Sequence, residues 1–473
     1  MCGKEVLAVD LGGSSGKIVC GSFTGRRICL EEIYRFDNIP IVQGGHLCWD
    51  TSTLYNEIKK GIAKSRTSFS PISVSVDSWG QDFALIKDNK IISPLRHYRS
   101  FAESNALAEI DKKIPLAELY KKTGTLPFVG ASLAQLVDEK QLADKADTLL
   151  FTPDYFNYLL SGGKAAEPSL ASTSMMLGWD DWCTDVAGIF GVSKLLPKIV
   201  SSGTLLDSVR DEEIGRDMRV VTGAGHDTAC AFAGAPRQDG IILSSGTWSL
   251  MGILTNGFVA NQNSLKFKLS NQRAADGRNR FLKSFSALWL MQQCVGIWGI
   301  SYDMAEALGE KALPFISLVD PEYPDFFTPG DMPKKINQYL AITGQPICHS
   351  IGEFVRCIMQ SLALKYAQLV RMLEIASGVK SKHICVVGGG VKSRFLNKLI
   401  ADSTGLLVFT GSKNSSSLGN CLVQLVALGE ITWANISDVA AASVQVQEYE
   451  PQKTGIWEAQ RERFDKLTGV QWQ

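Results

Sequence analysis

A single carboxylate near the middle of the chain lies close to a turn with the composition of a phosphate-binding loop. Asp227 opens an apolar, helix-like run from Thr228 to Ala235, and after a short strand comes the hydroxyl-rich turn Ser244–Thr247. A carboxylate can accept the proton of a substrate hydroxyl, and backbone N–H groups of such a turn can donate to phosphate oxygens. The same aspartate could instead cap the helix, since Asp is a favoured N-cap residue. This segment alone leaves both interpretations open.

A second candidate for phosphate binding stands at the start of the chain. Asp10 closes a first apolar strand, Gly12–Lys17 form a small-residue turn, and a second strand follows. The turn differs from a Walker loop, because it is one residue short and leads into a β-branched strand instead of a helix opened by Ser or Thr. Glycines allow close backbone approach to a ligand, although ordinary glycine hairpins are also common. An aspartate directly before these glycines and serines favours phosphate.

A third polar group follows the strand Ile72–Val76. It is the segment Asp77–Asp82, which holds a tryptophan, a glycine and two carboxylates. Ligands of α/β proteins bind at the carboxyl ends of strands, where an aromatic face and acidic groups suit a sugar ring. Trp79 could equally fill the core.

Three glycines, Gly388–Gly390, connect the strand His383–Val387 to a helix-like segment. A dinucleotide-binding fold requires an acid at the end of the next strand, about 20 residues on. That strand continues instead into Gly411-Ser412-Lys413. An NAD-dependent dehydrogenase is therefore disfavoured, whereas a glycine turn over the adenosine of ATP fits.

Composition limits the class of protein. The chain has 473 residues, 45% of them hydrophobic and 20% charged, with a formal net charge of zero. This length predicts two or three domains, and the charge balance argues against nucleic acid or an anionic membrane as a partner. The eleven cysteines form no CxxC pair and the five histidines are isolated, so a zinc site is not expected. We find no signal peptide or spanning helix and expect a cytoplasmic enzyme.

The elements that would carry these groups show a weak duplication. Strand-turn-strand units are predicted at residues 6–20 and 241–254, each with glycine beside serine or threonine. Two related domains that bind one nucleotide would produce such a pattern. Helices are predicted from Thr51, over 288–298 and over 353–376, whereas the Pro and Gly clusters of 320–346 predict an exposed excursion.

Seven segments in this order resemble one known family. They are Val9–Gly16, His46–Asp50, Asp77–Asp82, Gly225–Ala229, Leu243–Leu250, Gly388–Gly390 and Ser417–Asn420. The sequence resembles the FGGY carbohydrate kinases over nearly its whole length. The second and fifth segments favour those members that phosphorylate L-rhamnulose.

The resemblance implies an α/β fold of two ribonuclease-H-like, actin-like ATPase domains, residues 1–236 and 237–473, with a cleft between them. It implies an ATP- and Mg²⁺-dependent kinase that phosphorylates O1 of the 6-deoxy ketohexose L-rhamnulose, as a monomer or homodimer. The alternatives are a kinase for the epimer L-fuculose or for another ketose or polyol. A non-catalytic actin-like ATP switch is more remote, since a switch would need neither Asp227 nor the polar segment 77–82.

Family roles carry over to matching positions of this sequence. Asp227 takes the place of the catalytic base, and Asp10 that of the residue that holds hydrated magnesium. The expected sugar-binding residues are Gly80, Asp82, His226 and Thr228. The expected nucleotide contacts are Gly13, Ser14, Ser15, Gly16, Lys17, Thr247, Gln292 and Gly389.

Three positions depart from the family pattern. Relatives usually carry arginine at the position of Lys17, which supplies a point charge instead of a planar fork. The usual Asn-Ile-x-Gly run reads Ser284–Ala287 here, and the usual Tyr-Arg-Asp ends in Ser100. One nucleotide contact and one sugar contact are therefore expected to differ.

Overall fold

A computed structural model describes residues 3–452 and 454–472 of the chain. Its strands are β1 (Lys4–Leu11), β2 (Ser15–Phe23), β3 (Ile28–Asp37), β4 (Ile41–Gln43), β5 (His46–Trp49), β6 (Ser73–Ser78), β7 (Phe83–Lys87), β8 (Lys90–Ile91), β9 (Leu95–Arg96), β10 (Thr148–Phe151), β11 (Thr204–Ser208), β12 (Arg219–Thr222), β13 (Ile241–Ser245), β14 (Trp248–Thr255), β15 (Ser270–Arg273), β16 (Asn279–Ser286), β17 (His383–Val387), β18 (Leu407–Thr410) and β19 (Glu448–Tyr449). Its α-helices are α1 (Thr51–Ser65), α2 (Ala106–Lys113), α3 (Leu116–Thr123), α4 (Ser132–Asp138), α5 (Lys140–Ala143), α6 (Thr152–Ser161), α7 (Pro168–Ala171), α8 (Thr184–Ile189), α9 (Asp227–Ala233), α10 (Gln262–Lys266), α11 (Trp289–Trp298), α12 (Tyr302–Lys311), α13 (Met332–Ile342), α14 (Ile351–Ser377), α15 (Arg394–Thr404), α16 (Ser415–Ala427), α17 (Ile436–Ala442) and α18 (Gly455–Thr468).

Contacts group the described residues into two compact units. The first contains the residues up to Pro236 together with Leu254–Phe281 and Asn414–Val444. The second contains Arg237–Ile253, Leu282–Lys413 and the residues from Gln445 onward. The sequence predicts one boundary, after residue 236, whereas two later segments pack with the first unit here. The division into residues 1–236 and 237–473 stays a prediction.

The first unit is built on a sheet with the order β11-β12-β6-β1-β2-β3. β1 pairs antiparallel with β2 and parallel with β6, so the carboxyl ends of β1 and β6 lie side by side. Residues Val6–Val9 are fully buried, as expected for a continuous apolar strand covered on both faces. The predicted helix from Thr51 is confirmed, and its side chains at four-residue spacing pack on one face of this sheet. Helices α9 and α16 supply residues to the core on the other face.

In the second unit, β16, β14, β13, β17 and β18 are successive neighbours in one sheet, followed by the short strand β19. β13 pairs antiparallel with β14 and parallel with β17. Both units therefore place an antiparallel hairpin beside parallel strands, which is the duplication predicted from the sequence. The fold is α/β with two sheet-rich units, as predicted.

One segment of the second unit differs from its prediction, and one long helix agrees with it. Residues 320–346 were expected to form an exposed excursion, but they contain α13, and Phe326 and Leu340 are completely buried. Tyr323, Phe326 and Tyr339 form an aromatic cluster that anchors this segment. The helix predicted over 353–376 is confirmed as α14, which is buried over most of its length. No helix of the described residues is long and apolar enough to cross a membrane.

Candidate active site

The polar groups predicted from three separate segments meet at one edge of the first unit's sheet. Asp10 of β1 lies opposite Asp77 of β6 in the parallel register. The next residue of β6, Ser78, forms a β-bridge to His226, and its N–H donates to the Gly225 carbonyl at 2.8 Å. The end of β6 thus lies between Asp10 and the segment that carries Asp227.

Asp227 is the first residue of α9, and the N-cap position belongs to His226. Its Oδ1 accepts from His226 Nδ1 at 2.8 Å and from Thr228 Oγ1 at 3.0 Å. Because a carboxylate only accepts, Nδ1 of His226 carries the proton in this contact. Oδ2 accepts no hydrogen bond from the described residues, and the side chain is 34% exposed. One oxygen is thus fixed by neighbours while the other is available to a ligand, which disfavours a mere capping role.

The lowered pKa of Asp227 means that its side chain is present as a carboxylate, which can accept a proton. Burial acts to raise the pKa, but the hydrogen bond and charge of His226 and the bonds from Thr228 outweigh this effect and hold the pKa below its usual value. The carboxylate is therefore ionised at neutral pH.

The predicted sugar-binding residue Gly80 lies beside His226. A Cβ atom at Gly80 would lie 3.4 Å from His226 Nε2 and from Thr173 Oγ1. The absence of a side chain thus leaves the far side of the imidazole uncovered. Thr173 itself was not predicted from the sequence.

The turn Gly12–Lys17, which we call the phosphate hairpin, is hydrogen-bonded by an asparagine that was not predicted from the sequence. Gly12 N–H donates to the Ser15 carbonyl at 2.9 Å, which closes the turn, and Gly13 and Ser14 are exposed. Asn38 donates its side-chain amide to the Gly12 carbonyl at 2.8 Å and its N–H to the Ser14 carbonyl at 3.0 Å. The turn is therefore preorganised before any ligand binds.

Asp10 is surrounded by donors. Lys17 Nζ lies 3.3 Å from its Oδ2, and Ser417 Oγ donates to the same atom at 2.8 Å, as does Ser416 Oγ. Lys17 was predicted as a nucleotide contact, and here it pairs with Asp10.

Asp77 is the more buried of the two paired carboxylates. Asn420 donates to its Oδ2 at 2.6 Å, while its Oδ1 is buried without a hydrogen-bond partner. Burial, followed by the negative charge of Asp10, raises the pKa of Asp77 well above its usual value. A positive charge at this place would relieve that cost.

These two carboxylates fit a hydrated magnesium ion. Magnesium in phosphoryl-transfer sites uses one or two carboxylates together with waters and phosphate oxygens. Asp10 and the unpartnered Oδ1 of Asp77 provide such a pair next to the phosphate hairpin. The described residues contain no group of three or more His, Cys, Asp or Glu arranged to hold a metal by protein ligands alone.

Asp82, predicted to bind sugar, is engaged with protein groups. Its Oδ2 accepts from the indole N–H groups of Trp49 at 2.7 Å and Trp79 at 2.9 Å, and its Oδ1 accepts from Gln135 at 3.1 Å. Trp49 contacts Trp79 in a tilted arrangement and stacks on His97, at ring-centroid distances of 4.0 and 4.4 Å. We call Trp79, Trp49 and His97 with Asp82 the aromatic row. All four residues are buried, so Asp82 organises this row.

The predicted nucleotide contacts of the second unit also come together within that unit. Thr247 Oγ1 donates to Gln292 Oε1 at 2.9 Å. The glycine turn packs against the end of β13, since a Cβ at Gly390 would lie 2.2 Å from Ser245 Oγ and one at Gly388 would lie 2.9 Å from the Ser245 carbonyl oxygen. Gly388 has a φ of 82°, which favours glycine. At Gly389, between them, a Cβ would make only an ordinary contact, 3.9 Å from the Ser245 carbonyl oxygen.

The comparisons with known proteins agree with this arrangement. Residues 6–234 match the N-terminal domain, and residues 241–428 the C-terminal domain, of the FGGY family of carbohydrate kinases. A protein of Oceanobacillus iheyensis named rhamnulokinase is 33% identical over 439 residues, which cover 90% of this chain and 93% of that protein. One of Bacteroides thetaiotaomicron with the same name is 32% identical over 484 residues, which cover 96% and 98%.

Solved structures share the fold. A ligand-bound xylulose kinase from Lactobacillus acidophilus superposes with a TM-score of 0.83 at 15% identity, covering 98% of both chains. Glycerol kinase of Plasmodium falciparum with ADP gives a TM-score of 0.79 at 15% identity, covering 99% of both chains.

Proposed function

Because the chain belongs to the FGGY family of carbohydrate kinases and is a sugar kinase, we propose that it transfers the γ-phosphoryl group of ATP to O1 of L-rhamnulose. The single observation that supports the mechanism is the difference between the two carboxylate oxygens of Asp227. Oδ1 is held by His226 and Thr228, and Oδ2 is left for a substrate hydroxyl.

Asp227 acts as the general base. It accepts the proton of the primary hydroxyl while the hydroxyl oxygen bonds to the γ-phosphorus and the bond to the β-γ bridging oxygen breaks. His226 orients the carboxylate through Nδ1, which leaves Nε2 beside Gly80 for a sugar oxygen. Phosphoryl transfer depends mainly on such positioning and on electrostatic stabilisation.

The hairpin at the end of β1 binds the phosphates. Gly13 and Ser14 are exposed residues whose N–H groups would donate to phosphate oxygens, and Asn38 fixes the turn in advance. A magnesium ion bound with the nucleotide would offset phosphate charge, and Asp10 with Asp77 would hold its water shell. Lys17, whose Nζ lies 3.3 Å from Asp10 Oδ2, places an ammonium group next to the hairpin.

The residues Thr247, Gln292 and Gly389 bind the nucleoside part of ATP. Gln292 orients Thr247, and the glycine turn offers bare backbone against which a ribose or adenine can pack.

The choice of L-rhamnulose is supported by the relatives at 32–34% identity that carry the name rhamnulokinase. A ketose with a methyl group at C6 needs an apolar contact at that end. Trp49 and Phe83, aromatic residues of the first unit, are both buried in hydrophobic clusters. Phe128, 42% exposed and 6.3 Å from the Tyr98 ring, is an accessible aromatic group of the same unit.

A side-by-side measurement of kcat/KM for L-rhamnulose, L-fuculose, D-xylulose and glycerol tests the substrate. Polar groups placed for one arrangement of hydroxyls are left unpaired by an epimer, so discrimination can reach about 10⁴-fold. We expect L-rhamnulose to be preferred. A preference for L-fuculose would show that the chain is a kinase of this epimer of L-rhamnulose. A preference for glycerol or D-xylulose would contradict the proposal that the substrate is a 6-deoxy ketose.

A further inference from the structure

A buried carboxylate that no motif points to contacts the backbone just before Asp227. Glu167, at the N-cap of α7, is 1% exposed. Its Oε2 accepts from the N–H of Ser169 at 2.9 Å, as an ordinary cap does, and also from the N–H of Gly225 at 3.0 Å. Its Oε1 accepts from Ser202 Oγ. One side chain thus joins three segments that are far apart in sequence.

A relay through Ser169 extends this contact by one residue. Ser169 Oγ donates to Glu167 Oε2 and accepts from the N–H of His226 at 3.1 Å. The amides of Gly225 and His226 are therefore both fixed by Glu167, directly or through one hydroxyl. On the other side, the Gly225 carbonyl accepts from Ser78 N–H. The backbone that carries Asp227 is held from two directions.

The fit at Gly225 is tight. A Cβ atom there would lie 3.3 Å from Glu167 Oε2, from Leu170 Cγ and from Pro153 Cγ. A contact of this kind leaves little room for the segment to shift.

A buried arginine is within electrostatic reach of Glu167. The Arg280 side chain is completely buried, and its Nη1 and Nη2 have no hydrogen-bond partner. Its guanidinium interacts electrostatically with the carboxylates of Glu167 and Asp227. Burial lowers the pKa of Arg280 to about 10, and the negative charges of Glu167 and Asp227 act in the opposite direction.

We propose that Glu167 is a positioning residue that holds the Gly225–His226 backbone so that Asp227 faces the substrate hydroxyl. The proposal rests on the proposed role of Asp227 as the general base. It explains why the buried carboxylate accepts directly from the Gly225 N–H and, through Ser169 Oγ, fixes the His226 N–H.

The first experiment compares turnover of L-rhamnulose in Glu167→Ala, Glu167→Gln and Ser169→Ala variants of the full chain. A displacement near 1 Å at a reacting group can cost about 10²-fold, so we expect Glu167→Ala to lower kcat by that order with little change in KM for ATP. Glutamine keeps an oxygen for Gly225 N–H and can donate its amide to Ser202 Oγ, so Glu167→Gln should recover to within about 10-fold of wild type. Ser169→Ala, a milder change, should fall between them.

Asp154→Asn is the matched control. Asp154 is a buried carboxyl beside Glu167 whose Oδ2 lies 3.4 Å from the Glu167 N–H, and among the described residues it makes no hydrogen bond to the 225–226 backbone. We expect its turnover to stay close to wild type. Equal losses in Asp154→Asn and Glu167→Ala would mean that any buried carboxyl matters here, which would overturn the proposal.

The decisive comparison is a double-mutant cycle with Asp227→Asn. If Glu167 acts through Asp227, Glu167→Ala should slow the Asp227→Asn enzyme much less than it slows wild type. An equal fold-loss in both backgrounds would overturn the positioning role. Near-normal turnover of Asp227→Asn alone would refute the base itself and so identify a failure of the proposed function. If Glu167→Ala does not fold, Ser169→Ala takes its place in the cycle.

Discussion

At the scale of single residues, the site contains two carboxylates in which one oxygen is hydrogen-bonded and the other is not. Oδ1 of Asp227 is bonded to His226 and Thr228 while Oδ2 is open, and Oδ2 of Asp77 is bonded to Asn420 while Oδ1 is unpartnered. In each case the bonded oxygen orients the group and the other faces the place where chemistry is expected.

Replacing Asp227 by Asn should therefore remove catalysis and leave the fold. The amide keeps the size of the carboxylate but cannot take the proton, and general-base contributions are typically about 10²–10⁴-fold. We expect kcat to fall by that order, with the melting temperature and ATP binding by calorimetry unchanged. Asp207→Asn, an exposed position of the same unit, is the control and should behave as wild type.

Replacing Asp10 by Asn should act on magnesium. The amide oxygen can still accept from Ser417, but the negative charge opposite Lys17 is lost. Changes around a metal site typically cost about 10–100-fold in metal affinity. In initial rates measured against magnesium at fixed ATP, half-saturation should move upward by that order while KM for the sugar stays constant. A wild-type magnesium curve would show that Asp10 serves only the fold.

The aromatic row contains two groups whose charge should make stability depend on pH in opposite directions. Burial, with the charge of Arg99, lowers the pKa of His97 to about 4, while burial raises the pKa of Asp82 to about 7. Between pH 6.5 and about 4, His97 is protonated in the unfolded chain but neutral in the folded protein. Stability is therefore lost as the pH falls through this range. Between pH 4 and 7 the folded Asp82 keeps a proton that the unfolded chain releases, so stability is lost as the pH rises.

We therefore expect wild type to show a shallow dependence of unfolding free energy between pH 4 and 7. In Asp82→Asn the histidine contribution remains alone, and stability should fall on acidification by up to about 3 kcal/mol. In His97→Asn the slope should have the opposite sign. Thermal unfolding followed across this range measures both. Parallel curves for the three proteins would show that these groups are ordinary titrating side chains.

At the scale of elements, α9 and α16 make a close backbone contact beside the carboxyl ends of β1 and β6. A Cβ atom at Gly419 of α16 would lie 1.7 Å from the carbonyl oxygen of Cys230 in α9. Only glycine allows this approach, which brings Ser417 and Asn420 to Asp10 and Asp77.

Gly419→Ala should force the two helices apart. Overpacking of this kind costs at least about 1–3 kcal/mol, so we expect a lower free energy of unfolding in denaturant titration and reduced activity. Gly188→Ala on α8 is the control, because a Cβ there meets no atom within 4 Å and alanine favours a helix. Equal stability of the two variants would contradict the close contact between α9 and α16.

The elements near the site were largely predictable, whereas the contacts between distant segments were not. The hairpin after Asp10, the strand before Asp77 and the helix at Asp227 each have a local signal in glycine placement or apolar periodicity. The bonds from Ser416 and Ser417 to Asp10 span more than 400 residues and leave no local pattern. In the sequence, Glu167 looks like an ordinary N-cap residue. The prolines around α13 predict a loop, whereas the helix found there is stabilised by aromatic packing.

At the scale of the whole molecule, the first unit is discontinuous in sequence. A chain that ends at Pro236 lacks α16, which packs on Val6, Ala8 and Val19 and donates to Asp10 and Asp77. We expect the 1–236 fragment to bind hydrophobic dyes and to unfold without a cooperative transition by circular dichroism. Joining residues 254–281 and 414–444 to it through flexible linkers should restore cooperativity. A cooperative 1–236 fragment would instead support the single domain boundary predicted from the sequence.

Because α16 lies near the end of the chain, it is translated long after the sheet on which it packs. Ser417 is 407 positions beyond Asp10, and Gln424, which donates to the Leu7 carbonyl, is 417 beyond its partner. At translation rates of about 5–20 residues per second, the ribosome needs on the order of 20–80 s to deliver α16 after β1 has been made. During that interval the nascent sheet has an apolar face without its cover and two aspartates without their donors. Synthesis of this kinase thus includes a window in which its own amino-terminal unit is a substrate for chaperones, and synonymous codons that slow the stretch before residue 415 should lengthen it.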